Sequence, residues 1–216
     1  MADEPEDVNR ARAYGLRVTS PAMIAAGNFG VDDALFHHAE KVSPRSIVYP
    51  RKISTNNNYF GFLEAASSLM GTTEANFYGL GLKPLAGEAY ERFSNLRSPR
   101  VHLTDVLSRS DTAKVIREAE VVVSPSTDDG MPNSVLEALS AGAKVVAGRL
   151  PQLERLAELG YPVVLVNALD SHDIRRGIEL ALASPAPVQK ELPQEYSRTA
   201  NTFRVAAFYQ SILGAA

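Results

Sequence analysis

The 216-residue sequence has no cysteine and no tryptophan. The missing thiol excludes thiolate catalysis, Cys-ligated zinc, iron–sulfur clusters and a disulfide scaffold. The chain also lacks an excess of either charge. Its formal net charge is −3, and Asp3, Glu4, Glu6 and Asp7 at the N-terminus carry more than that by themselves, which leaves the rest near +1. Such a body has no basic footprint for general nucleic-acid binding. No apolar run approaches the ~20 residues needed to cross a bilayer. The opening MADEPEDVNRARAYG is acidic and polar, without the apolar core of a secretory signal. The expectation is a cytoplasmic protein, and nothing in the sequence points directly to a nucleic-acid or membrane partner. Two nucleotide fingerprints are absent as well. YGLGLKPLAG offers Gly79 and Gly81, but Pro84 stands where a third glycine belongs, and no Walker A loop occurs.

What the sequence does contain is a repeating alternation. Short apolar runs at 46–50, 75–80, 100–103, 121–125, 143–147 and 162–166 are rich in Val, Ile and Tyr and show no polar alternation. Continuous apolar runs of this length suit strands covered on both faces. Helical patterns fall between them near 59–70, 111–119, 133–141, 151–159 and 171–183, with an ambiguous stretch at 83–97 around Pro84. Ser171 reads as the N-cap of the last of these. Repeated strand–helix units of this kind predict an α/β fold, a Rossmann-like, doubly wound parallel sheet of about six strands. Residues 1–44 read as a connector, with a helix near 7–13, the short run LRVTS and the turn-rich AAGNFGVDD. Residues 45–184 form the sheet domain. Residues 185–216 are a Pro-rich linker and a terminal helix, where Tyr196, Ala200, Phe203, Ala207, Phe208 and Ile212 are expected on one face.

Ligands of open parallel sheets bind beyond the carboxyl ends of the strands, and there the most informative segment is SPSTDDGMPNSVLEALSAGAKVVAG, 124–148. A strand ends, a polar loop carries Asp128, Asp129 and Gly130, and a helix begins near Pro132–Ser134. The amides of Gly130, Met131, Pro132, Asn133 and Ser134 lie at or just before that helix start, where backbone N–H groups and the helix dipole favour a phosphate. Glu137, one turn in, can accept hydrogen bonds from two vicinal hydroxyls such as those of a ribose. The same residues admit a plainer reading. Ser134 and Glu137 have the spacing of a capping box, and Asp129-Gly130 that of a simple turn. His37-His38 has no third ligand at metal-binding spacing. A response-regulator or small-hydrolase domain would need a carboxylate at the end of the first strand, where Pro50-Arg51 stand.

DGMPNSVLEALSAGAKVVA resembles the donor-site motif of the family 4 retaining glycosyltransferases of GT-B fold, with Asp129 and Glu137 as the two acidic residues eight positions apart. GNFGVDDALF (27–36) is similar to that family's interdomain turn, IVYPRK to its first strand with a phosphate-binding arginine, and RVHLTDVLSRSDTAKVIREAEVVVSPS to its strand–helix–strand before the motif. YSRTANTFRVAAFYQSIL is similar to its terminal helix. The resemblance implies one half of a GT-B enzyme that transfers a hexosyl-like group, with retention, from a UDP-, GDP- or ADP-sugar to an unknown acceptor. It implies Arg51 and Asp129 as catalytic residues, the first on the departing diphosphate and the second on the sugar hydroxyls. Gly130, Met131, Pro132, Asn133, Ser134 and Glu137 would bind the nucleotide sugar, Glu137 through the ribose, and Leu103–Val106 would face the base. No cofactor and no metal are implied, and the acceptor side would come from an N-terminal Rossmann-like domain or partner chain. Three departures stand out. Asp129 replaces the family's usual Glu, Asn56 and Asn57 stand where a Lys normally follows the Arg, and the N-terminal half is absent from this sequence. The alternative is a nucleotide-binding or structural module that has lost donor binding.

Overall fold

The computed structural model describes residues 9, 11–15, 17, 30–39 and 45–213. Residues 9 and 11–13 of the helix expected near 7–13 are helical; its remaining positions, all of LRVTS but Arg17, the first part of the interdomain turn and positions 214–216 lie outside the described residues.

Six strands form one sheet: β1 (Ser46–Tyr49), β2 (Asn76–Gly79), β3 (Val101–Leu103), β4 (Val121–Ser124), β5 (Lys144–Gly148) and β6 (Val163–Val166). Each lies within one residue of its expected bounds. Every neighbouring pair is parallel, in the order β3-β2-β1-β4-β5-β6. From residue 45 onward the helices are α1 (Tyr59–Leu69), α2 (Ala86–Arg92), α3 (Arg109–Glu118), α4 (Asn133–Ser140), α5 (Pro151–Glu158), α6 (Ser171–Ala183) and α7 (Arg198–Leu213). The three central strands are buried along their whole length, which is why their sequence shows no alternation. Side chains alternate across them. Val48, Val122 and Val145 face a core with Ile116 of α3, Leu136 of α4 and Leu153 of α5. Ile47, Val121 and Val146 face the opposite core, with Phe62 of α1 and Ile178 of α6.

The ambiguous stretch 83–97 resolves into a 3-10 turn at Lys83–Leu85, α2, and a second 3-10 turn at Ser94–Arg97. Pro84 fits the first turn because its missing N–H is an orphan there anyway. One expected cap and one expected helix-face residue are corrected. Asp170, not Ser171, caps α6, its carboxylate accepting from the His172 amide. Tyr196 lies in a 3-10 turn before α7 and is buried in the sheet core, so it does not share a helix face with Phe203, which is 71% exposed.

The end of the connector is locked to the C-terminal linker. Val31 donates to the Tyr196 carbonyl at 2.8 Å and accepts from the Arg198 amide at 3.0 Å, and Arg198 pairs with Asp32 at 2.7 Å. Gly30 makes this possible. It sits at φ +72°, and a Cβ there would lie 2.6 Å from the Arg198 nitrogen.

The sheet order reverses between β1 and β4, so the crevice beyond their carboxyl ends is the topological switch point. One glycine sets the course of the chain there. A Cβ on Gly148, at the end of β5, would lie 2.0 Å from the Ser126 carbonyl oxygen in the loop after β4. Gly148→Ala is therefore expected to cost about 3 kcal/mol and to lower the calorimetric melting temperature by roughly 6 °C or more.

Candidate functional site

Arg51 follows β1 and points across the switch point at the loop after β4. Its Nη2 donates to Asp129 Oδ2 at 2.5 Å and to Asn57 Oδ1 at 3.0 Å, and its Nη1 lies 3.5 Å from Ser134 Oγ. Asn57 is held in turn. It donates to the Lys52 carbonyl at 3.0 Å, and its own carbonyl accepts from the buried Tyr49 hydroxyl at 3.3 Å. The residue standing in place of a lysine thus supplies no charge; it fixes the guanidinium that is present. Asn56 serves the backbone, its carbonyl accepting from the Thr127 amide at 2.8 Å. The carbonyls of Asp129 and Gly130 both accept from Gln152 Nε2 at the start of α5, which pins the acidic loop from the other side.

Helix α4 starts at Asn133 with Pro132 as its N-cap residue and no side-chain cap. This removes the capping-box reading. Pro132 fixes φ and takes the N-cap place, so Ser134 is already inside the helix and its hydroxyl faces Arg51 instead. The expected cradle is also one amide shorter, because Pro132 has no N–H. The Met131 side chain is buried in the core, so only its backbone is available to a ligand. Asn133 and Ser134 occupy the first two positions, where no intrahelical carbonyl lies four residues back. The Asn133 Oδ1 is buried and has no hydrogen-bond partner.

Glu137, released from capping, lies on α4 and is 7% exposed. Burial pushes its carboxyl up to about 7, against the opposing pull of Arg109 and Arg51, while Asp32 adds to the rise. Arg109 Nη2 lies 3.3 Å from Glu137 Oε1. Burial thus outweighs the pull of both cations.

A cavity of about 310 Å³ opens between the loops after β1, β2 and β3, lined by Arg51, Lys52, Asn57, Gly81, Val106 and Leu107. Its rim is braced by the Gly81 amide donating to the Asp105 carbonyl at 3.3 Å and by a Lys83–Asp105 pair at 2.6 Å. Val106 is 81% exposed, an apolar surface turned to the cavity mouth. A second cavity, of about 410 Å³, lies on the connector–linker seam between His38 and Lys190 and includes none of the Arg51, Asp129 or Glu137 side chains. His37 there meets Arg117 at 3.2 Å and His38 packs over Gly142. Among the described residues, no group of three His, Asp or Glu is placed to hold a metal ion. Also among them, no helix is long and apolar enough to cross a membrane.

Arg51, Asp129, Ser134 and Glu137 therefore meet at one crevice. Sequence reasoning missed Gln152 and Arg109. Nothing local marks Gln152, whose partners lie more than twenty residues earlier. Arg109 did leave a trace, as a cation on the first turn of a helix, where the dipole disfavours it.

A family model described as "Glycosyl transferases group 1" matches residues 44–184. No curated protein matches in sequence. Among solved structures, sucrose-phosphate synthase from Thermosynechococcus elongatus superposes with a TM-score of 0.79 at 15% identity, covering 100% of this chain and 58% of that one. HepE of Anabaena, in complex with UDP and glucose, gives 0.76 at 16% identity, covering 97% and 62%. The C-terminal domain of a glycosyl transferase group 1 family protein from Francisella tularensis gives 0.62 at 17%, covering 83% of this chain and 98% of that domain. The chain thus spans about three fifths of the two larger proteins and nearly matches the isolated domain in extent.

Proposed function

The chain belongs to the group 1 glycosyl transferases, and from that premise we propose that its switch-point crevice binds a nucleoside diphosphate sugar for transfer. The observation that carries the proposal is the convergence of Arg51, the free amides of α4 and the buried Glu137 carboxylate. The diphosphate lies against Arg51 and the amides of Met131, Asn133 and Ser134. The ribose hydroxyls donate to Glu137, and the base enters the cavity beside Val106 and Leu107. Asp129 contacts the sugar. The bond between the anomeric carbon and the diphosphate oxygen breaks as an acceptor hydroxyl bonds to that carbon, and the hydroxyl proton passes to the departing phosphate. Cation and amides stabilise the charge that develops on the leaving group, the main source of acceleration in a site of this kind. The configuration is retained. The acceptor is bound by a second Rossmann-like domain or chain, in keeping with the share of HepE and sucrose-phosphate synthase that this chain covers.

The test is a thermal-shift panel of UDP, GDP, ADP and CMP at millimolar concentration. One diphosphate is expected to stand out, and at 100 times its Kd it stabilises the chain by about 2.7 kcal/mol. A panel in which no nucleotide moves the midpoint would favour the alternative module without donor binding.

A further inference from the structure

Arg109 opens α3, and three features make its place there unusual. The positive end of the helix dipole repels a cation at this position. Ser108, which caps the helix by accepting from the Asp111 amide, already satisfies the first turn without it. The guanidinium instead leaves its own helix. It lies over the Phe36 ring of the connector, 5.3 Å from the centroid, and reaches Glu137 Oε1 at 3.3 Å on the neighbouring helix.

We infer that Arg109 is a positioning residue for the nucleotide site: seated on Phe36, it favours the ionised form of the buried Glu137 carboxylate and orients it toward the ribose. The inference rests on the donor-site reading above but concerns a residue which that reading does not use. An ionised carboxylate offers both oxygens as acceptors to the two ribose hydroxyls, whereas protonation turns one of them into a donor. The charged groups facing Glu137 are few. Arg109 comes from α3, Arg51 from the end of β1, and Asp32 from the connector opposes them. Arg51 is engaged with Asp129 at 2.5 Å, and Asp32 with Arg198. Arg109 is the cation that bonds Glu137 directly, and Phe36, 1% exposed, is a fixed platform beneath it.

An opposite charge this close holds a carboxyl down by about one pH unit or more. Arg109→Met should raise the Glu137 midpoint accordingly. Protonation would then silence the acceptor at neutral pH and spare it in alkali. For the diphosphate that binds best among UDP, GDP and ADP, the variant is expected to lose about fivefold in affinity at pH 7 and to come within about twofold of wild type at pH 9. Arg109→Lys should restore most of the loss. A loss equal at both pH values, or an unchanged profile, would overturn the inference. The unliganded protein gives an independent readout. In a carbon-13 carboxyl titration, Glu137 should move upward by about one pH unit in Arg109→Met, and an unmoved midpoint contradicts the inference whether or not any nucleotide binds. Failure of the wild type to bind any of the three diphosphates counts instead against the donor-site reading.

Discussion

Glu137→Gln is expected to raise the melting temperature of the unliganded protein at pH 8.5 and, in the same molecule, to abolish stabilisation by nucleotide. Both halves follow from burial. A carboxyl at about 7 in the folded chain, against 4.5 in the free group, binds its proton more tightly folded than unfolded. Its contribution to stability is therefore complete below pH 4.5 and declines as pH rises to and beyond 7. At alkaline pH the ionised side chain costs roughly 3 kcal/mol relative to acid. Glutamine escapes that cost but must still be buried as a polar group, so a net gain of about 1–3 kcal/mol is expected. This raises the midpoint by roughly 3–9 °C for a chain of this size. At pH 4.5 the gain should vanish. A substitution that destabilised the chain at both pH values would mark Glu137 as a structural residue. The expected outcome marks it as one whose cost is offset only when a ligand is present.

Arg51→Met should have the largest effect on the ligand itself. One charge-assisted hydrogen bond contributes about 1.5–3 kcal/mol, so the bound nucleoside diphosphate should lose roughly 10- to 100-fold in affinity by isothermal titration calorimetry. Its parent nucleoside, which carries no phosphate, should be affected little. The arginine does not face an empty crevice, however. Asp129 sits 2.5 Å from it, each side chain about a fifth exposed. In the unliganded chain this carboxylate competes with any phosphate for the guanidinium. Asp129→Asn should therefore act in the opposite direction on a plain diphosphate and tighten it several-fold, while weakening the nucleotide sugar relative to the diphosphate. Equal losses for nucleoside and diphosphate in Arg51→Met would place the arginine in the structure and not at the leaving group.

The strands were legible because burial on both faces removes alternation. SIVY and VVVS sit at the centre of the sheet and carry apolar residues at every position but the serines. The crevice was legible for a related reason. A loop with two aspartates and a glycine followed by Pro-Asn-Ser is an economical way to end a strand and start a helix at the carboxyl edge of the sheet. Misreadings arose where two local rules compete. Ser134 and Glu137 have capping-box spacing, but Pro132 starts the helix two residues earlier and turns the serine toward Arg51. Asn57 looked like a missing charge; its part in the site, which depends on Tyr49 and Lys52, shows only in three dimensions. Gln152 and Arg109 reach the site from other helices, and contacts of that range leave at most an oddity, such as a cation against a helix dipole.

The central claim is that a nucleoside diphosphate lies across the switch point between β1 and β4. An amide proton–nitrogen correlation titration of the labelled chain with UDP, GDP and ADP tests it most directly. The account predicts saturable shifts for one of the three, strongest at Met131, Asn133 and Ser134 and at the loop from Leu103 to Leu107, with the seam at Lys190–Gln194 unmoved. Shifts confined to that seam, or none for any of the three at millimolar concentration, would contradict it.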